Sequence, residues 1–324
     1  MNVERIFSIH SEKSFYSLAL EIFSYQYNNV PVYRQYCDLR HRNPDNVKHI
    51  LDIPFLPIQF FRHHEINSGT AYDVVFESSG TNEENTSKHF VADKTIYEMS
   101  FTKSFQHFYH TASNYVWLCL LPSYLERKNS SLVYMTDFFI RHSTHSESHF
   151  YLHQLEQLYQ TLIHCIEQKK PTILMGVSFA LLDFASTYSL PEWSDIIVME
   201  TGGMKGNRKE IVRSELHQTL KNAFRVNSIH SEYGMTELLS QAYSKGEGIF
   251  NSPPWMKVFI RDIYDPYNVG IVNKSGGINC IDLANIYSCS FIETQDMGIV
   301  HNNGSFEVLG RIDQSITRGC NTLL

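Results

Sequence analysis

An α/β fold with mostly parallel strands flanked by helices, closed by a small β-rich subdomain, is the class this sequence predicts. Three observations carry it. Short β-branched runs alternate with longer stretches of helical spacing, the texture changes near Ser244, and 43% hydrophobic content in 324 residues suffices for a substantial core. Alternating strand and helix patterns place helices on the faces of a parallel sheet.

Apolar and aromatic positions recur at helical spacing over 11–40, predicting a helical entry. Pro54 and Pro57 then break up DIPFLPIQFF into an extended segment. YDVVFE is followed by a helical pattern over 94–110, YVWLCLL by one over 150–167, and PTILMG by one over 178–188. IIVME, a helix over 208–221 and the strand RVNSIH extend the series. Beyond Ser244 come short strands with glycine punctuation: MKVFIRD, VGIVN, GGINCIDL, MGIVH and SFEVLGRID. The expected division is therefore an α/β core over 1–244 and a β-rich subdomain with a C-terminal tail over 245–324. Phe101, Phe105, Phe108 and Tyr109 are helically spaced and read as core; lining an acyl channel is the alternative, and Phe179, Leu181 and Leu182 share that ambiguity.

A net charge of -7 excludes a general nucleic-acid binder, since phosphate recognition starts from a basic surface. The N-terminus carries Glu4, Arg5, Glu12 and Lys13 and lacks the apolar run of a signal peptide or membrane span, so a cytoplasmic protein is expected. Cys37, Cys119, Cys165, Cys280, Cys289 and Cys320 are scattered without CxxC pairs and read as reduced thiols. His142, His145, His149 and His153 recur every three to four residues. On a helix they would share one face, but the interleaved serines favour a solvated helix start over a metal site.

Four motifs carry chemistry. Glu77-Ser78-Ser79-Gly80-Thr81 follows a strand, where glycine-turn amides and hydroxyls can surround phosphate oxygens; the Walker pattern is absent, and a plain turn is the bland reading. Glu200-Thr201-Gly202-Gly203 also ends an apolar strand, and paired glycines let the backbone approach a flat ligand. In Ser231-Glu232-Tyr233-Gly234-Met235-Thr236-Glu237, after RVNSIH, Glu237 beside the Thr236 hydroxyl suits a Mg-ATP site, because Mg²⁺ is held by one or two carboxylates plus substrate phosphates. Finally, Asp296 can accept hydrogen bonds from ribose hydroxyls, and Arg311 in Gly310-Arg311-Ile312-Asp313 can reach a phosphate or the sugar.

In this order the motifs resemble the adenylate-forming superfamily of acyl-CoA synthetases. SYLERKNSSLVYM, GVSFALLDF, ETGGMKG, SEYGMTELLSQAYS and GRIDQSITRGCN look like its acyl-protein synthetase branch, which supplies fatty acyl groups to an aldehyde-forming reductase. The resemblance implies the N-terminal domain of that superfamily, without the mobile C-terminal lid and its catalytic lysine. It implies ATP and Mg²⁺ as cofactors and a carboxylic acid, in this branch a long-chain fatty acid, as substrate. Carried across, Ser78, Ser79, Gly80 and Thr81 hold the triphosphate with help from Lys88. Gly202 and Gly203 line the adenine pocket, and Tyr233, followed by Gly234, packs on the base. Thr236 and Glu237 serve phosphate and Mg²⁺, Asp296 the ribose, and Arg311 the ribose-phosphate region. Cys320, in Arg318-Gly319-Cys320-Asn321, matches the acyl-accepting cysteine; by sequence alone it reads as an inert small hydrophobe.

The chain departs from the family where Asn82-Glu83-Glu84-Asn85 replace a second Thr-Gly, adding two carboxylates beside the expected triphosphate. Lys205 and Arg208 are candidates for extra positive charge. Three readings stay open at this stage: transfer to Cys320 for delivery to a reductase, transfer to coenzyme A or a carrier protein, and a non-catalytic nucleotide-binding subunit of a reductase complex.

Overall fold

The computed structural model describes residues 2–69, 71–78, 86–121, 129–193, 196–202 and 212–312. In chain order its strands are β1 (Leu56–Pro57), β2 (Val74–Glu77), β3 (Lys88–Val91), β4 (Val116–Leu120), β5 (His149–Tyr151), β6 (Thr172–Gly176), β7 (Ile196–Glu200), β8 (His230–Tyr233), β9 (Ala242–Ser244), β10 (Ile249–Asn251), β11 (Met256–Arg261), β12 (Val269–Ile271), β13 (Ser275–Asp282), β14 (Phe291–Val300) and β15 (Phe306–Arg311). The α-helices are α1 (Glu12–Asn29), α2 (Pro31–Leu39), α3 (Phe60–His63), α4 (Lys94–Phe108), α5 (Ser131–His142), α6 (Leu155–Glu167), α7 (Ser178–Thr187) and α8 (Arg213–Phe224). The chain forms two compact units, one of residues 1–100, 237–240 and 251–324, the other of 101–236 and 241–250.

The second unit is built on parallel strands in the order β5-β4-β6-β7-β8, with β9 antiparallel to β8. β4 and β6 are buried at every residue, as expected of strands covered on both faces, and that is why VWLCL and TILMG read as unbroken apolar runs. Register carries the strand ends into line: Leu120 pairs with Gly176, Gly176 with Glu200 and Glu200 with Ser231. A Cβ on Gly176 would meet Leu181 and the Leu120 carbonyl at 3.0–3.1 Å, so a larger residue there would crowd the turn into α7. The aromatic series behaves as core: Phe101 packs edge-on against Phe138 and Phe139, and Phe105 stacks on Tyr109 at 4.7 Å.

The first unit holds an antiparallel sheet β12-β11-β13-β14-β15, with β1 added parallel to β14, and a separate hairpin β2-β3. α1 starts in a capping box between Ser11 and Ser14 and ends at Val30, after which Pro31 opens α2 at a position where its missing N–H costs nothing. The two helices bury Phe23 and Tyr33 against Phe291 of β14. Gln26, fully buried, donates to the Asn285 and Ile286 carbonyls and accepts from the Ser290 N–H, fastening α1 to the segment before β14.

Three local expectations are corrected. The strand expected at RVNSIH begins only at His230, because Arg225 takes a left-handed conformation (φ 52°) to end α8, so Ser231, Glu232 and Tyr233 lie on the strand. The helix expected over 150–167 starts at Leu155, with Phe150 on β5. The four histidines share no helix face: α5 stops at His142, His145 lies in a loop against the Asn114 carbonyl, and His149 is on β5. Among the described residues no cluster of three or more His, Cys, Asp or Glu side chains can hold a metal, and no helix is long and apolar enough to cross a membrane.

Candidate functional site

In the first unit the β2-β3 hairpin carries Glu77 and Ser78, the first two residues of the serine-glycine motif. Its last strand pair is Glu77 with Lys88. Beyond it the Ser78 N–H donates to the Ser87 carbonyl at 3.0 Å, and the Ser87 N–H donates to Ser78 Oγ at 2.9 Å. These two bonds extend the pairing one residue beyond the strand ends. Ser79, Gly80, Thr81 and the departure at Asn82, Glu83 and Glu84 lie outside the described residues. Lys88 is half exposed, 3.9 Å from Glu77 Oε1.

Glu237 belongs to the same unit and is 5% exposed. Burial pushes its carboxyl above the usual range, while Ser87, Arg311 and Arg62 pull the other way. Its backbone is fixed from two sides. Asn285 Nδ2 donates to the Glu237 carbonyl at 2.7 Å, and the buried Asp282 accepts from the N–H groups of Leu239 and Ser240 and from the Ser240 hydroxyl at 2.6–2.9 Å. Burial pushes Asp282 up to about 6 despite these bonds. Asp296 and Arg311 face each other across β14 and β15, with Arg311 Nε 3.9 Å from Asp296 Oδ1. Asp296 is mostly covered and Arg311 mostly exposed, so the pair presents a carboxylate beside a reachable guanidinium.

The second unit gathers a different polar group at the carboxyl ends of β7 and β8. Glu200 is buried; its Oε2 accepts from the Gly202 N–H at 2.7 Å and from Ser178 Oγ at 3.1 Å. Arg213 Nε stands 3.7 Å and His217 Nε2 3.6 Å from Oε1, ion-pair range rather than hydrogen-bond range. Burial opposes the charge on Glu200, and His217, Arg213 and the Gly202 N–H overcome it, holding the carboxyl down to about 2. Glu232 goes the opposite way. Burial, then the charge of Glu200, pushes it up to about 8. A Cβ on Gly234 would overlap Glu232 Oε1, so the glycine of YGMTE lets the chain pass this carboxyl. Gly202 has φ 69°, which favours glycine. Tyr233 is nearly buried, with its ring 6.0 Å from Phe250.

Of the residues singled out by sequence, Ser78, Lys88, Glu237, Asp296 and Arg311 belong to the first unit, and Gly202, Tyr233, Gly234 and Thr236 to the second. Gly203, Lys205, Arg208, Asp313 and Cys320 lie outside the described residues. The motifs did not mark Arg62, nor the opposed ionisation of Glu200 and Glu232. Glu232 sits inside a quoted motif, yet only the strand position reveals that its carboxyl is buried.

The chain matches the family described as acyl-protein synthetase, LuxE, over residues 7–324. No curated protein matches it by sequence. Among solved structures it is similar to ATP-bound MatB from Rhodopseudomonas palustris, at 12% identity and a TM-score of 0.53, covering 75% of this chain and 49% of MatB. It is also similar to 2-hydroxyisobutyryl-CoA ligase, in the postadenylation state with 2-HIB-AMP (11% identity, TM-score 0.63, 93% and 68% of the two chains) and in an open conformation with 2-HIB-AMP and CoA (10%, 0.61, 94% and 70%). At these identities the likeness shows the fold. The chain spans about half the length of MatB.

Proposed function

The chain belongs to the LuxE acyl-protein synthetase family, and from that premise we propose that it activates a carboxylic acid, in the first instance a long-chain fatty acid, with ATP. The observation that carries the reading is the grouping in one unit of the Ser78–Ser87 hairpin stem, the covered Glu237 and the Asp296–Arg311 pair. A carboxylate oxygen of the acid attacks the α-phosphorus of ATP, the bond to the β,γ-pyrophosphate breaks, and acyl-AMP and pyrophosphate result. The Cys320 thiolate then attacks the acyl carbon, the bond to AMP breaks, and the acyl group rests as a thioester for delivery to a reductase.

Charge stabilisation at phosphorus does most of the work in such a transfer. Ser78, Ser79, Gly80, Thr81 and Lys88 are assigned to the phosphates, Asp296 to the ribose, and Arg311 to the ribose-phosphate region. Gly202, Gly203, Gly234 and Tyr233 are assigned to the adenine, and Thr236 to phosphate. Glu237 fits Mg²⁺ as a single hard carboxylate, since this ion is usually held by one or two carboxylates together with substrate phosphates. When bound it would neutralise phosphate charge.

The test is intact-mass measurement of the purified chain with Mg-ATP and mixed fatty acids, with Cys320→Ser alongside. An acyl increment that requires ATP and vanishes in the variant is the expected result. Acid-dependent ATP-pyrophosphate exchange without any increment would move the transfer to coenzyme A or a carrier protein. Absence of exchange would leave a nucleotide-binding subunit, the reading that the carboxylates Glu83 and Glu84 favour.

A further inference from the structure

The first unit holds a cation that none of the motifs announced. Arg62 lies in the last turn of α3, and the fold fixes that short helix firmly. The neighbouring Phe61 is buried with its ring edge-on to His89 of β3, the Ile58 N–H donates to the Glu293 carbonyl at 2.9 Å, and β1 runs in parallel register with β14. The guanidinium thus comes from a rigid base joined to both the hairpin and the strand that carries Asp296. Its Nη2 reaches Gln295 Oε1 only at 3.5 Å, the outer limit of a hydrogen bond. Its Nε is wholly covered and has no hydrogen-bond partner among the described residues. Glu237 is near enough for the two charges to interact.

A guanidinium with a covered, unused N–H is costly to retain unless an anion completes it. Its planar fork of donors suits the paired oxygens of a phosphate better than any neutral partner. We propose that Arg62 is a phosphate-binding residue, holding the polyphosphate of the nucleotide beside Glu237 and Gln295. The assignment rests on the nucleotide-activating reading given above.

Arg62→Gln and Arg62→Lys test it, with the affinities of ATP, ADP and AMP measured calorimetrically at fixed Mg²⁺ and folding checked by thermal melting. In Arg62→Gln the affinity for ATP is expected to fall about 10- to 100-fold and that for AMP less than about 3-fold, because only the β- and γ-phosphates lose their charge-assisted bonds. Arg62→Lys keeps the charge and recovers part of the loss; if Arg62→Gln does not fold, the Lys variant decides by the same ATP-to-AMP contrast. Equal losses for all three nucleotides, or no loss, would overturn the assignment. So would a raised KM for the acid with ATP affinity unchanged, which would put Arg62 on the substrate carboxylate. A wild-type chain that binds no nucleotide would overturn the activating reading itself, whereas normal binding by both variants would overturn the role of Arg62 alone.

Discussion

Glu232 and Glu200 show how far neighbours separate two buried carboxyls of one type. Glu200 has a backbone N–H, a hydroxyl, a guanidinium and an imidazole beside it; Glu232 has burial and the charge of Glu200, both favouring its protonated form. The consequence for stability has a definite sign. Unfolded, each carboxyl titrates near the ordinary value of about 4.3. Glu232 binds its proton more tightly in the folded chain, so its contribution is complete below that value and is lost as pH rises through about 8. Glu200 is the reverse: its contribution is present above the ordinary value and is lost only as pH falls towards about 2. Above about 6 the raised Asp282 has already titrated, and from there to about 8 subtracting the Glu232→Gln curve leaves the contribution of Glu232. Comparing urea unfolding of the wild type and Glu232→Gln across that interval, the wild type should lose up to about 1.4 kcal/mol per pH unit more than the variant. Parallel curves would show that Glu232 is ionised in the fold. At this scale the sequence is half legible: YGMTE marks Gly234 plainly, but the carboxyl it accommodates is invisible until β8 is known to begin at His230.

Among elements, the strands of the parallel sheet were legible because β4 and β6, buried on both faces, write themselves as continuous apolar runs. The boundaries that failed were set by single residues whose conformation has no pattern, such as the left-handed Arg225 and the start of α6 after β5. The short α3 was not legible at all, since four residues between prolines and histidines cannot show a helical period, and with it Arg62 went unmarked. Asp282 is the clearest case of an element held by one side chain. It ties the Leu239-Ser240 turn and the Ala284 N–H to the end of β13 through four hydrogen bonds, and Glu237 lies two residues upstream. Asp282→Asn presents an amide to donors that need an acceptor, and should cost about 2–4 kcal/mol, read as a lower denaturation midpoint. Because the same turn holds the Glu237 backbone, KM for ATP in pyrophosphate exchange should rise more than kcat falls. A variant with wild-type KM and reduced stability would separate the clamp from the site.

For the molecule as a whole, the ordered series of motifs identified the fold because each one sits at a strand end or on a hairpin, where sequence and position are tightly coupled; the polar contacts among them depend on tertiary packing that no local pattern encodes. Thiol chemistry follows from the same packing. Cys37, Cys119, Cys165, Cys280 and Cys289 are all buried. Burial pushes Cys37 up to about 12 and raises Cys119, Cys165 and Cys289 as well, so those four are poor nucleophiles near neutral pH. On the proposed reading the acyl-accepting thiol is Cys320, which Arg318 precedes by two residues in the sequence. Brief alkylation of the native chain near pH 7, followed by mass spectrometry, should therefore label one thiol per chain, with Cys320→Ser abolishing that label and Mg-ATP plus a fatty acid protecting against it. Labelling that persists in the variant would place the reactive thiol in the packed core and contradict the fold's account of those cysteines. A label on Cys320 that ATP and acid do not protect would leave the thiol reactive yet unacylated, and would shift the acceptor to a separate molecule.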